Sequence, residues 1–209
     1  MCFQQQGTTL STETEYKIKH KEIEKEVEIE VEVEVMVENE KLGPVVLCID
    51  TSGSMMGDPE NIAKAIALYL GQEAKAQKRA YFIINFSKQI VTYEHTKRKT
   101  IENLISFLQG SFHGGTDVEP ALNYALDLLQ RKNYAKADVL VISDFEIPPF
   151  SLEIHEKIEM QKQKKTKFNA LAISSQNNIN SLLSIFDNQW KYSPTTGEII
   201  DLTKPTSSP

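Results

Sequence analysis

The sequence predicts an α/β domain built on a mostly parallel sheet with helices on both faces. Three observations predict it. Apolar runs of strand length recur after the first forty residues: VVLCI (Val45–Ile49), YFIINF (Tyr81–Phe86), ADVLVIS (Ala137–Ser143) and FNALAIS (Phe168–Ser174). Segments with apolar residues at helical spacing lie between them. Most connections are long enough for the crossover that parallel neighbours require.

The elements follow in order. Residues from Met1 to about Tyr16 are polar and unpatterned, and we expect them to be disordered. In KEIEKEVEIEVEVEVMVENE, the apolar Ile23, Val27, Ile29, Val31, Val33, Val35 and Val37 are odd-numbered and the Glu residues even-numbered. That period of two suits an extended chain, whereas a helix would set Glu against Glu four residues apart. Residues 1–42 are therefore expected to be an acidic low-complexity segment, with a strand as the alternative. Residues 43–203 form the folded domain and 204–209 a disordered tail. Asp58-Pro59 reads as a cap and first turn of a helix running to about Gln77. IVTYE (Ile90–Glu94) follows its predecessor too closely for a crossover, so it should run antiparallel. Thr100 caps a helix through about Leu108, and Asp117–Lys132 and Ser151–Gln163 give two more. Asn178–Phe186 reads as a short helix, and a last strand includes Trp190 and Tyr192.

Composition excludes several function classes. The chain has 209 residues, 40% apolar and 25% charged, which suits one globular domain. No apolar run approaches about 18 residues, so no membrane-spanning helix is expected. The start, MCFQQQGTTLST, lacks the basic-then-apolar pattern of a secretory leader. Two cysteines, Cys2 and Cys48, support neither a disulfide framework nor a thiolate zinc site. We expect a cytoplasmic protein. Net charge is −6, but Glu22–Glu40 alone holds nine Glu and one Lys, so the rest is near neutral. No basic stripe is interleaved with aromatics, and nucleic acid is not an expected partner.

Parallel α/β sheets place their sites beyond the carboxyl ends of the strands. Asp50-Thr51-Ser52-Gly53-Ser54 follows the first buried strand. Asp144 follows the strand ending at Ser143. Gly114-Gly115-Thr116-Asp117 opens a helix. These loops bring two carboxylates and three hydroxyls, a hard oxygen set that suits Mg²⁺, Mn²⁺ or Ca²⁺ rather than Zn²⁺. Two carboxylates balance one divalent cation. A spare coordination position would accept an Asp or Glu carboxylate of a partner, which makes a reversible docking site. Around this set, Asp58 and Asp117 read as helix caps, and Glu119 and Glu146 as solvated rim residues. His113 precedes the glycine pair. Met55 and Met56 fit either the core or an adaptable surface.

The ordered pattern DTSGS, then the threonine of GGTD, then the aspartate of ISD, resembles the metal-ion-dependent adhesion site (MIDAS) of von Willebrand factor A domains. The resemblance implies a Rossmann-like, doubly wound sheet of six strands, mostly parallel with one antiparallel edge strand. It implies that Ser52, Ser54 and Thr116 touch the metal directly, while Asp50 and Asp144 act largely through waters. Within the family, GPVVLCIDTSGSM, RAYFIINFS, FHGGTD, ADVLVISDF and IFDNQW resemble the bacterial ViaA group, which works with MoxR-type AAA+ ATPases such as RavA. The expectation is a non-catalytic, Mg²⁺-dependent adaptor of such an ATPase. A metal-dependent hydrolase or phosphatase is the alternative. Against it, Ser52 lies in no GxSxG elbow, no phosphate loop GxxxxGK[ST] occurs, and no general base is evident. A third class is a scaffold that binds through its acidic strand.

Overall fold

The computed structural model describes residues 15–22, 25–32, 42–96, 98–111, 114–174 and 183–203. They fall into two units, divided between Lys41 and Leu42.

The first unit holds β1 (Glu15–Glu22) and β2 (Lys25–Glu32), paired antiparallel. Their register sets positions Lys17, Lys19 and Lys21 opposite Glu30, Glu28 and Glu26.

The second unit is a seven-stranded sheet in the order β5-β4-β3-β6-β7-β8-β9. Its strands are β3 (Val45–Asp50), β4 (Tyr81–Phe86), β5 (Ile90–His95), β6 (Asp138–Ser143), β7 (Phe168–Ile173), β8 (Asn188–Tyr192) and β9 (Ile199–Asp201). The five from β4 to β8 in that order are parallel to one another. The edge strand β5 runs antiparallel to β4, as its short connection requires. The expected six strands become seven, because β9 adds to β8 in antiparallel sense. Three half-buried or exposed residues are too few to leave a periodic signal in the sequence.

The helices are α1 (Asp58–Ala76), α2 (Ile101–Leu108), α3 (Glu119–Leu129) and α4 (Leu152–Lys162). Alternation along β3 explains how they divide. Val45, Leu47 and Ile49 pack with residues of α1 and α2, while Val46 and Cys48 pack with α3 and α4. Every β3 residue is buried, which is why the strand reads as a continuous apolar run. Removing one such Leu or Ile side chain from water contributes about 1.5–3 kcal/mol. Gly71 permits the close approach of α1: a Cβ there would lie 2.5 Å from Leu104 Cδ2 and 2.9 Å from Tyr81 Cε1. The Tyr81 hydroxyl, deep in this layer, donates to the Ala67 carbonyl at 2.7 Å.

The predicted caps divide. Thr100 caps α2 in a capping box with Asn103, and Ser151 caps α4 by accepting from Ile154 N–H. Asp58 is inside α1, and Gly57 at φ 94° takes the cap position instead. Asp117 is not a side-chain cap either, because α3 begins two residues later with Val118 at its N-cap. The Asn178–Phe186 helix falls largely outside the described residues, as do His113, residues 33–41 and the 204–209 tail. No described helix is long and apolar enough to cross a membrane.

Candidate metal centre

β3 and β6 are adjacent parallel strands, paired from Val45↔Asp138 to Ile49↔Ile142. This register brings Asp50, at the end of β3, beside Ser143 and Asp144 at the end of β6. Asp50 is fully buried. Its Oδ2 accepts from the Ser143 hydroxyl at 2.6 Å, and its Oδ1 from Ser52 N–H at 2.8 Å. The second bond is an Asx turn, the local reason why an aspartate at this offset curls the chain back. A 3₁₀ turn, Gly53–Met55, follows and lifts Ser54 to the surface. The hydroxyls of Ser52 and Ser54 converge to 3.1 Å. Met55 is fully buried under the turn, while Met56 is 66% exposed, so the two methionines divide between core and surface.

The loop carrying Thr116 is tied to this turn. Gly53 N–H donates to the Gly114 carbonyl at 2.9 Å, and Asp117 N–H to the Ser87 carbonyl at 3.2 Å. Thr116, between these ties, is half-buried. Before them, Ser111 donates to Glu60 and accepts from Lys64 Nζ at 2.7 Å. Asp144 is buried and turns the chain in its own Asx loop, accepting from Glu146 N–H at 3.0 Å. Phe145, between them, adopts φ 54°, a left-handed conformation rare for an aromatic residue.

Two polar residues at this edge escaped the sequence reading. Ser143 is one; its role depends on which strand lies beside β3. Asn85 is the other, accepting from the Thr51 hydroxyl at 2.6 Å. A lone amide in the apolar run YFIINF was the available signal.

The electrostatics are those of a site short of positive charge. Burial pushes the Asp50 carboxyl above its usual range, and the Asp144 carboxylate adds to the rise. The hydrogen bonds from Ser143 and Ser52 pull the other way. Among the described residues no lysine or arginine forms an ion pair with Asp50 or Asp144. No group of three or more His, Cys, Asp or Glu converges among the described residues either. A cation held here would therefore draw on hydroxyl oxygens as well as two carboxylates, chemistry that fits a hard divalent ion.

Comparison with known proteins gives a consistent picture. The model of the von Willebrand factor type A domain matches residues 45–146. Regulatory protein ViaA of Proteus mirabilis (strain HI4320) is 36% identical over 156 residues, which are 74% of this chain and 32% of that protein. The chain thus spans about a third of the length of this curated relative. An aerotolerance-related membrane protein from Bacteroides fragilis NCTC 9343, solved with multiple mutations to serine, aligns with a TM-score of 0.51. It is 16% identical, over 76% of this chain and 80% of that one. Proximal thread matrix protein 1 from the mussel byssus, solved with a zinc-occupied MIDAS motif, aligns with a TM-score of 0.54. It is 12% identical, over 73% of this chain and 44% of that one. At such identities the likeness to these structures is one of fold.

Proposed function

This chain carries a von Willebrand factor type A domain, and on that premise we propose that it is a non-catalytic module that docks a protein partner through one divalent cation. Asp50, Ser52, Ser54, Thr116 and Asp144 hold the cation. When bound, it supplies a Lewis-acidic position for a carboxylate oxygen of the partner. The observation that carries this reading is the Asp50 carboxylate: buried, next to a second carboxylate, and facing no described cation. An uncompensated pair of this kind is costly, and a divalent ion relieves both the desolvation and the repulsion.

The protein's own residues divide the work. Ser143 and the Ser52 backbone orient the Asp50 carboxylate. The Gly53–Gly114 bond joins the Thr116 loop to the serine turn. Mg²⁺ is the proposed ion, with Mn²⁺ and Ca²⁺ as substitutes. Likeness to Regulatory protein ViaA supports a regulatory role. The cytoplasm is its proposed location, and a MoxR-type AAA+ ATPase its proposed partner.

Titration of the chain with Mg²⁺, Mn²⁺, Ca²⁺ and Zn²⁺ by calorimetry tests the metal; zinc is included because the mussel protein carries it. Capture of a purified MoxR-type ATPase, with Mg²⁺ and with EDTA, tests the partner. Mg²⁺-dependent capture lost in Asp50→Ala supports the reading. Metal-dependent hydrolysis of a phosphoester by the chain would overturn it in favour of an enzyme.

A further inference from the structure

Glu60 lies in the first turn of α1, the helix that follows the serine turn of the metal site. It is 5% exposed, a position glutamate rarely takes unless it is paired. Two partners hold it. Lys64, one helical turn on and 17% exposed at its side chain, places Nζ 2.7 Å from Oε1. The Ser111 hydroxyl donates to the same oxygen. Lys64 Nζ also donates to Ser111 Oγ, at 2.7 Å. The hydroxyl thus gives its one proton to an anion and accepts from a cation, which fixes its direction.

A shielded ion pair is not an efficient source of stability, because apolar residues of similar size commonly do as well. What this one secures is position. Ser111 precedes Thr116 by five residues. The Thr116 loop has two further ties, Gly114 to Gly53 and Asp117 to Ser87, and both run through backbone atoms. The tie at Ser111 is made by side chains and leads to α1. Ser52 and Ser54 are therefore joined to the Thr116 loop twice, through the Gly53–Gly114 bond and through Glu60 and Ser111. Hydroxyls on two loops serve one ion only while the loops keep a fixed separation. A site held ready beforehand loses less binding energy to ordering.

Resting on the function proposed above, we propose that Glu60 is a positioning residue for the cation: through Ser111, and with Lys64 as its counter-charge, it holds the Thr116 loop at the distance from the serine turn that the ion requires. It acts through Thr116 and not as a ligand. Removing a group that orients metal-binding residues in this way weakens metal affinity about 10–100-fold.

Ser111→Ala in the whole chain tests this, because the Glu60–Lys64 pair lies within α1 and remains. Binding of Mn²⁺, read from the electron paramagnetic resonance signal of the free ion, is compared in the unaltered chain, Ser111→Ala, Thr116→Ala and the double variant. Ser111→Ala should weaken binding about tenfold or more when Thr116 is present, and less than about twofold when Thr116 is already Ala. Ser111→Thr keeps the hydroxyl and should recover most of the loss. Glu60→Gln keeps the shape, breaks the ion pair and carries the same expectation as Ser111→Ala, so the test survives if that variant does not fold. A Ser111→Ala chain that binds like the unaltered one overturns the proposal. So does an equal loss with and without Thr116, or a Ser111→Thr chain as weak as Ser111→Ala, since a general loosening of the fold produces either. Those results leave metal docking standing. An unaltered chain that binds neither Mn²⁺ nor Mg²⁺ overturns both.

Discussion

The Ser143 hydroxyl reaches across from β6 and donates to Asp50 Oδ2 at 2.6 Å, joining two buried side chains 93 residues apart in sequence. The same oxygen accepts from Phe145 N–H at 3.0 Å, so it also steadies the strained turn that presents Asp144. Ser143→Ala leaves a buried carboxylate with one donor fewer and the Phe145 amide without this acceptor. A loss of about 1–3 kcal/mol in urea-unfolding free energy is expected for the metal-free protein. Unchanged stability would show that the bond contributes nothing.

Asp50→Asn separates folding from metal binding. Burial lifts the folded-state Asp50 pKa above its unfolded value. The cost of the charged form is therefore absent below the unfolded value and fully present above the folded one. Neutral Asn escapes that cost and keeps the shape. At pH 7.5 in EDTA its melting temperature should equal or exceed that of the unaltered chain. With millimolar Mg²⁺ the unaltered chain should gain stability and the variant should not. A variant that melts lower in EDTA contradicts the account of an uncompensated carboxylate.

His95 gives a pH dependence of the opposite kind. It is buried on β5, its Nε2 has no partner among the described residues, and the Tyr93 hydroxyl lies 3.4 Å from its Nδ1. Burial, with Lys75 and Lys99 nearby, holds its pKa below the usual 6.5. The unfolded chain then takes up the proton first. Stability should be full above about pH 6.5 and fall as pH drops toward the folded value. His95→Phe should flatten that part of the urea-unfolding profile. An identical slope in the variant would remove His95 as its source.

Cys48 lies wholly within β3, and burial pushes its thiol up to about 12. In a Cys2→Ser background, a chromogenic disulfide reagent at pH 8 should react only as fast as the chain unfolds. Rapid labelling of native protein would show that β3 opens locally.

Gly71→Ala should destabilise the domain by about 1–3 kcal/mol, because the new methyl has to displace Leu104 or the Tyr81 ring. Thermal melts measure it, and an unchanged midpoint would mean that α1 shifts without cost.

Much of the fold was legible because each signal was local. β3 and β4 are buried on both faces and read as apolar runs, and β5 was placed antiparallel by the three-residue gap before it. Asp50, Ser52 and Ser54 stood out by fixed offsets within one turn, and Asp144 by its place after a strand. Asp117 misled, since its backbone is committed to Ser87 and α3 starts later than its sequence implies. Glu119, read as a solvated rim residue, instead clamps Ser151.

The sequence by itself determined the buried strands β3, β4, β6 and β7 and about where each ends, and therefore which oxygen-bearing residues crown the sheet's carboxyl edge, because period and offset act over a few residues. Only the tertiary structure decided that Ser143 serves Asp50, that the Thr116 loop is tied to Gly53, and that Ser111 meets Glu60 and Lys64. Those relationships depend on which strands lie side by side and how loops from distant segments meet, and no local pattern in a chain carries that information.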